Sequence, residues 1–429
     1  MEISQVHTLF LKTSSVSIDT RKIEKNSFFI ALKGENFNAN TFAKEALEKG
    51  AKYVVIDEKD FYIDERTILV DNCLETLQNL ATFHRDYLQL PIIALTGSNG
   101  KTTTKELIFA VLSKKYKTKA TIGNLNNHIG VPLTLLSFDK ETEIGIVEMG
   151  ANHQKEIAFL CQLAKPDYGY ITNFGKAHLE GFGGVEGVIK GKSEMYDYLF
   201  QHDKKVVVNL DDPIQNEKAI AFKNSISFSS NITDAFVFAS DIVANPFATI
   251  TIDSILIKSN LIGIYNASNI IAAITIGKYF GVSIENSRDA ISSYFPENNR
   301  SQILFKNTNQ IILDAYNANP SSMEVAIKNF IQLDNANKIM ILGDMFELGE
   351  ESFHEHKMIV SYIKSSKANL HCYFVGNEFY AAKVVDVNFS FYKSFDEFKI
   401  DFETKEISDS LLLIKGSRGM ALERVLNYL

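Results

Sequence analysis

The sequence predicts an α/β protein in three domains. Three observations point there. The chain has 429 residues, more than one hydrophobic core normally serves. Short apolar runs recur without polar alternation, the pattern of strands buried on both faces of a mostly parallel sheet. Glycine-bearing turns follow several of those runs and open stretches of helical period.

The first domain, residues 1–90, reads as short strands and helices. Ser27 to Leu32 is strand-like, Thr41 to Lys49 has helical period and is capped by Gly50, and Tyr53 to Ile56 is a second strand. A helix near Leu74 to Leu88 ends before Pro91. The central domain, residues 91–297, begins with the strand Ile92 to Leu95, a glycine loop and a helix from Lys105 to Lys115. Further strands fall at Ile144 to Glu148 and Tyr168 to Thr172. Between Ala235 and Leu261, the spacing of Ile250, Ile252, Ile255 and Ile257 predicts antiparallel strands, followed by a helix from Asn266 to Phe280.

The third domain, residues 298–429, starts near Pro296. Strands are expected at Ile311 to Leu313, Ile339 to Leu342, Cys372 to Val375 and Leu411 to Ile414, with helices at Ser321 to Leu333, Phe353 to Ile363 and Gly419 to Leu429. The fold class is therefore a small N-terminal α/β domain, a central P-loop ATPase-like mostly parallel sheet, and a C-terminal Rossmann-like domain without a Gly-x-Gly-x-x-Gly fingerprint at its first strand.

Composition narrows the function. A net charge of −8 argues against a broad nucleic-acid surface, which needs a lysine and arginine excess. No basic start precedes an apolar stretch and no apolar run reaches the length of a membrane span, so a cytoplasmic protein without membrane insertion is expected. Cys73, Cys161 and Cys372 are far apart and read as buried small hydrophobes rather than a disulfide or zinc framework. His354 and His356 flank Glu355 without a further visible ligand and read as solvated.

The chemistry centres on Thr96-Gly97-Ser98-Asn99-Gly100-Lys101-Thr102-Thr103. A strand ending in a glycine loop that opens a helix converges backbone amides on phosphate oxygens. Lys101 would reach the outer phosphates and Thr102 would offer its hydroxyl to Mg²⁺. The full Walker pattern needs glycine where Leu95 stands, so the match is to the shorter Gly-x-x-Gly-Lys-Thr. An Asn-Gly turn before an ordinary helix start is the bland alternative. Glu148, at the carboxyl end of its strand, suits a second metal ligand.

These residues resemble the Mur ligases of peptidoglycan synthesis, which share a loop of the form Thr-Gly-x-Asn-Gly-Lys-Thr, and the likeness extends over nearly the whole chain. Gly123 to Pro132, with Asn124, Asn126 and Asn127, looks like the family's substrate-facing loop. In Ala177-His178-Leu179-Glu180 the resemblance makes His178 a ligand for a second Mg²⁺. Lys192, in Lys190-Gly191-Lys192-Ser193-Glu194-Met195, matches the lysine that the family carbamylates with CO₂. An ammonium beside Mg²⁺ would be repelled, whereas a carbamate supplies an anionic oxygen. Asn269 matches the adenine site, in a motif where Tyr265 replaces a common histidine, and Arg300 and Asp314 match positions touching the nucleotide from the third domain.

Within the family, Asp314 to Pro320 with Asn317 and Asn319, Leu342 to Gly349, and Lys415-Gly416-Ser417-Arg418 look most like the member adding D-alanyl-D-alanine to a UDP-muramyl tripeptide. Asp19, Thr20, Arg21, Lys33 and Gly34 resemble the portion holding the UDP end, though Asp19 and Arg21 could equally form an ion pair in a turn. The resemblance implies ATP, two Mg²⁺ ions and the Lys192 carbamate as cofactors, catalytic roles for Lys101, His178 and Lys192, an acyl-phosphate intermediate, and a monomer. The diamino-acid-adding Mur ligase, a folylpolyglutamate synthase and a small-molecule kinase are the alternatives, the folate enzyme disfavoured by a domain ahead of the loop.

Overall fold

The apolar runs become inner strands of three sheets in the computed structural model, which describes every residue except 221, 223 and 298. The expected start of the third domain, residue 298, thus lies outside the described residues. The N-terminal sheet is parallel, in the order Val16–Ser17, Phe28–Ile30, Tyr53–Ile56, Thr67–Leu69. The helix Cys73–Leu88 closes this part; Asn72 caps it by accepting from the Glu75 amide at 3.0 Å.

Among the described residues the central sheet has nine strands. From one edge they run Thr118–Ala120, Ile144–Glu148, Ile92–Thr96, Tyr168–Ile171, Lys205–Asn209, Ser225–Ser229, Val237–Ala244, Phe247–Ile252 and Ile255–Ile262. Pairing is parallel as far as Val237–Ala244 and antiparallel beyond. Ile92, Ile93, Ala94 and Leu95 are wholly buried because helices cover both faces of this strand. Removing each of the larger side chains from water contributes roughly 1.5–3 kcal/mol. The chain leaves Ile92–Thr96 for strands on one side and returns to pair on the other, so the loops at its carboxyl end open into a crevice.

The C-terminal sheet runs Gln302–Lys306, Asn309–Asp314, Leu411–Lys415, Lys338–Gly343, His371–Val375, Phe389–Tyr392, parallel except for its first pair. Its helix Pro320–Gln332 begins at Asn319, which accepts from the Ser322 amide at 2.9 Å, with Pro320 in the first turn.

Several expectations need correction. Gly419 to Leu429 is not an α-helix. Arg418–Met420 and Leu422–Tyr428 are 3₁₀ stretches separated by Ala421 in the left-handed region, φ 47°, which stops an i to i+4 ladder from propagating. The helix after the glycine loop starts at Lys101, four residues early, and ends at Leu112. His356 is fully buried rather than solvated, since its Nε2 accepts from the Met345 amide at 3.0 Å; His354 beside it is exposed. Gln302–Lys306, Phe389–Tyr392 and the helix Phe395–Phe402 were not expected. All three cysteines are buried.

Candidate active site

A cleft of about 1050 Å³ lies at the carboxyl end of Ile92–Thr96. Its walls come from the loop 98–103, Asn124, Asn126 and Asn127, Glu148, His178, Asn269, Arg300, Asp314, Asn317, Asn319 and Lys415. The sequence scatters these residues over more than 300 positions. Parallel topology gathers them, because each follows or opens an element at the same end of a sheet.

Two glycines make the phosphate loop possible. Gly97 has φ 141°, and a Cβ there would sit 2.0 Å from Thr172 Oγ1. Gly100 has φ 78°, and a Cβ would meet Asn269 Oδ1 at 2.8 Å. The next strand's loop braces the first: the Ser98 amide donates to the Asn173 carbonyl at 3.0 Å, the Asn99 amide to Asn173 Oδ1 at 3.1 Å, and Thr172 Oγ1 to the Asn99 carbonyl at 2.6 Å. Lys101 Nζ donates to the carbonyls of Gly97 and Ser98 at 2.7 and 3.3 Å. Burial lowers its pKa, an effect that the Glu148 carboxylate opposes.

Glu148 fits a divalent cation. It is 1% exposed; Oε1 accepts from Asn126 Nδ2 at 2.8 Å, while Oε2 is buried without a hydrogen-bond partner among the described residues. A carboxylate oxygen in that condition costs free energy unless a cation completes it. Thr102, buried at the helix start, lines the same cleft. Among the described residues no three histidine, cysteine or acidic side chains converge, so a cation here would draw its remaining ligands from hydroxyls, phosphates or a modified side chain.

His178 and Lys192 stand farther along. His178 Nδ1 hydrogen-bonds Glu347 Oε2. Burial, joined by the Lys101 and Lys192 charges, lowers its pKa against the pull of Glu347, which favours the neutral ring. Lys192 is 1% exposed, does not line the cleft itself, and donates to the Ala151 carbonyl at 3.3 Å. Burial, and then the Lys101 charge, hold its pKa well below the ordinary lysine value. An amine pressed toward its neutral form is the form that adds CO₂.

The nucleotide and substrate candidates divide. Asn269 lines the cleft, but its Oδ1 accepts from Thr104 Oγ1 at 3.1 Å and its Nδ2 donates to Asn266 at 2.9 Å, so it also braces the helix start. The Arg300 guanidinium stacks 3.5 Å from the Tyr316 ring centroid. Asp314 pairs with Lys415 at 2.5 Å, and Asn319 Nδ2 donates to Asn99 Oδ1 at 2.7 Å, tying the third domain to the loop.

Ser417 and Arg418 do not line the cleft: Ser417 Oγ accepts from the Phe346 amide at 2.9 Å, and Arg418 is largely exposed. Asp19, Thr20, Arg21, Lys33 and Gly34 are also elsewhere. Asp19 and Arg21 form the ion pair that stood as the alternative, at 2.8 Å. Lys33 pairs with Asp57 and Glu58, both at 3.2 Å. Asn173, Tyr316 and Glu347 carried no expected role, although Tyr316 and Glu347 stand inside motifs read from the sequence and Asn173 directly follows the strand Tyr168 to Thr172.

Comparison with known proteins matches three family models in order along the chain: "Mur ligase family, catalytic domain" over residues 12–85, "Mur ligase middle domain" over 95–277, and "Mur ligase, glutamate ligase domain" over 299–418. The chain belongs to the Mur ligase family. Among Mur ligases it is 34% identical to the UDP-N-acetylmuramoyl-tripeptide--D-alanyl-D-alanine ligase of Bacillus subtilis (strain 168), over 96% of this chain and 92% of the relative. A crystal structure of MurF from Acinetobacter baumannii superposes with TM-score 0.86 at 30% identity, covering 99% of this chain and 97% of that one. MurF ligase from Thermotoga maritima in complex with ADP superposes with TM-score 0.83 at 26% identity, each chain covered to 97%.

Proposed function

We propose that this Mur ligase joins UDP-N-acetylmuramoyl-tripeptide to D-alanyl-D-alanine with conversion of ATP to ADP and phosphate, in peptidoglycan precursor synthesis. The carrying observation is one cleft that combines a short phosphate loop, a buried Glu148 carboxylate oxygen without a partner among the described residues, and the asparagine wall 124–127. Similarity over almost the full chain to ligases of that name supports the choice within the family.

In this reading the tripeptide's terminal carboxylate attacks the γ-phosphorus of ATP; the bond to the bridging oxygen breaks and ADP leaves. The amine of D-alanyl-D-alanine then attacks the acyl phosphate carbonyl, giving an amide, inorganic phosphate and a released proton. The first step brings two anions together. Lys101 opposes that repulsion by exchanging its bonds to Gly97 and Ser98 for the outer phosphates, while the amides of 98–103 hold the phosphate chain. Mg²⁺ would screen the same charge. Thr102 and Glu148 would hold one ion, and His178 with a carbamylated Lys192 the second. Arg300, Asp314 and Asn269 would hold the nucleoside end, with Asn317, Asn319 and Lys415 facing the incoming dipeptide.

Thr20, Lys33 and Gly34 of the N-terminal domain would take the UDP end; Asp19 and Arg21 spend their charges on each other. Domains of 1–90, 91–297 and 298–429 follow from this division of labour. A cytoplasmic monomer agrees with cytoplasmic substrates and a cleft built from one chain; no described helix is long and apolar enough to cross a membrane. Through its product the enzyme would serve cell shape and division.

The test is ADP release with UDP-muramyl tripeptide as acceptor. Release dependent on D-alanyl-D-alanine, with an amide product, is expected. A strong preference for a free diamino acid would move the chain to another Mur activity, and amine-independent release with a phosphorylated product would make it a kinase.

A further inference from the structure

The loop after the strand Lys338–Gly343 is anchored at successive residues. Asp344 accepts from the amides of Glu378 and Phe379 at 3.0 and 2.9 Å. The Met345 amide donates to the buried His356 and the Phe346 amide to Ser417 Oγ, at 3.0 and 2.9 Å. Glu347, next in line, adopts φ 63° and projects onto the central domain. Its carbonyl accepts from the Glu180 amide at 3.3 Å, and its carboxylate takes up His178 Nδ1. His178 is also left-handed, at φ 53°. Two non-glycine residues in that conformation cost on the order of 1–3 kcal/mol each and meet at one contact.

We infer that Glu347 is a positioning residue for His178. By accepting the Nδ1 proton it selects the tautomer that leaves the Nε2 lone pair free, and Nε2 makes no hydrogen bond among the described residues. A ring in that state can ligate a divalent cation; the opposite tautomer would present an N–H. Because Glu347 stands on a loop that follows a strand of the C-terminal sheet and His178 on one that follows a strand of the central sheet, the ligand is set only while the two domains are docked. Lys176 Nζ to Glu355 at 2.5 Å and the Lys176 amide to Ser321 Oγ at 2.8 Å fasten the same seam. The inference rests on the ligase reading, which makes His178 a metal ligand.

The experiment compares Glu347→Ala, Glu347→Gln and His178→Ala with the parent protein. Nitrogen NMR of ring-labelled histidine, without metal, is expected to show His178 protonated on Nδ1 in the parent and shifted toward the Nε2–H form in Glu347→Ala. The Mg²⁺ concentration for half-maximal ADP release should rise about tenfold or more, with KM for D-alanyl-D-alanine within about twofold and melting temperature little changed. Glu347→Gln, whose amide oxygen still accepts, should restore the parent tautomer and part of the Mg²⁺ response. An unchanged His178 spectrum and Mg²⁺ requirement in Glu347→Ala, or a glutamine variant as impaired as alanine, overturns the inference. A fully active His178→Ala instead removes His178 from the metal site and overturns the reading beneath it.

Discussion

Lys192 tests whether the cleft trades stability for chemistry. Its side chain is 1% exposed and, among the described residues, reaches a single backbone acceptor at 3.3 Å, so an amine with up to three donors is placed where one is weakly used. A buried polar group in that condition costs about 1–3 kcal/mol. Lys192→Met keeps the volume and removes the amine, and volume-conserving exchanges at buried sites cost little. The expected result in bicarbonate-free buffer is a gain of about 1–3 kcal/mol, read by calorimetry as a melting temperature several degrees higher. The Phe182 ring, 5.1 Å from Nζ, gives back only a small cation–π term, and only to the charged amine that burial disfavours. On the proposed mechanism ADP release should fall about a hundredfold or more, because methionine cannot form the proposed carbamate. Lys192→Ala should be equally inactive and partly restored by a short carboxylic acid, which fills the space and supplies the oxygen. A less stable methionine variant that keeps its activity would refute the reasoning. An alanine variant that folds and binds ATP but is not restored would refute the carbamate.

Two further expectations can be checked on the same preparations. Gly97→Ala forces a Cβ to within 2.0 Å of Thr172 Oγ1 at φ 141°, so ATP affinity measured by calorimetry should be lost, whereas Gly183→Ala, at φ 74° with nothing within 4 Å, should cost only about 1–2 kcal/mol of stability. His7 Nε2 lies 3.0 Å from His84 Nδ1, and His84 Nε2 lies 2.9 Å from the Phe138 carbonyl, so one nitrogen of the facing pair must be unprotonated and the two buried rings cannot both be charged. Burial, with His84's charge second, lowers the His7 pKa to about 4. The stability this pair contributes should therefore be complete above the unfolded value of 6.5 and be lost as pH falls from there toward about 4. His7→Phe should flatten that part of the melting profile, and an unchanged slope would count against the pair.

What could be read in advance followed from local rules. Ile92 to Leu95 and Ile144 to Glu148 are apolar runs whose burial needs no knowledge of the rest of the chain, and Asn319-Pro320 is a helix start in its own right. Phe389–Tyr392 escaped because Ser390 interrupts a short run at a sheet edge, where burial is only partial. Gly419 to Leu429 carries enough apolar residues for a helix, yet Ala421's left-handed turn overrides the pattern. At the site, the placement of Thr102 and Glu148 in the cleft was legible because each sits at a strand or helix end. The partners of His178 and Asp314, Glu347 and Lys415, were not, since they are 169 and 101 residues away and meet through tertiary packing alone.

That packing also explains the character of the cleft. Lys101 is held by its own loop carbonyls, Asp314 by Lys415, and Asn319 by Asn99. A nucleotide binding there must exchange bonds of similar worth, so each exchange nets on the order of 1 kcal/mol or less. Glu148 Oε2 and His178 Nε2 differ, since neither gives up a hydrogen bond within the described residues when a cation arrives. On the proposed mechanism the steepest gain on loading the site therefore lies at the two proposed cation positions rather than along the phosphate loop. ATP affinity should accordingly depend on Mg²⁺ more sharply than on any one of the paired side chains, and the two domains that supply Glu148, His178 and Glu347 have the most to gain from staying docked while the ion is held.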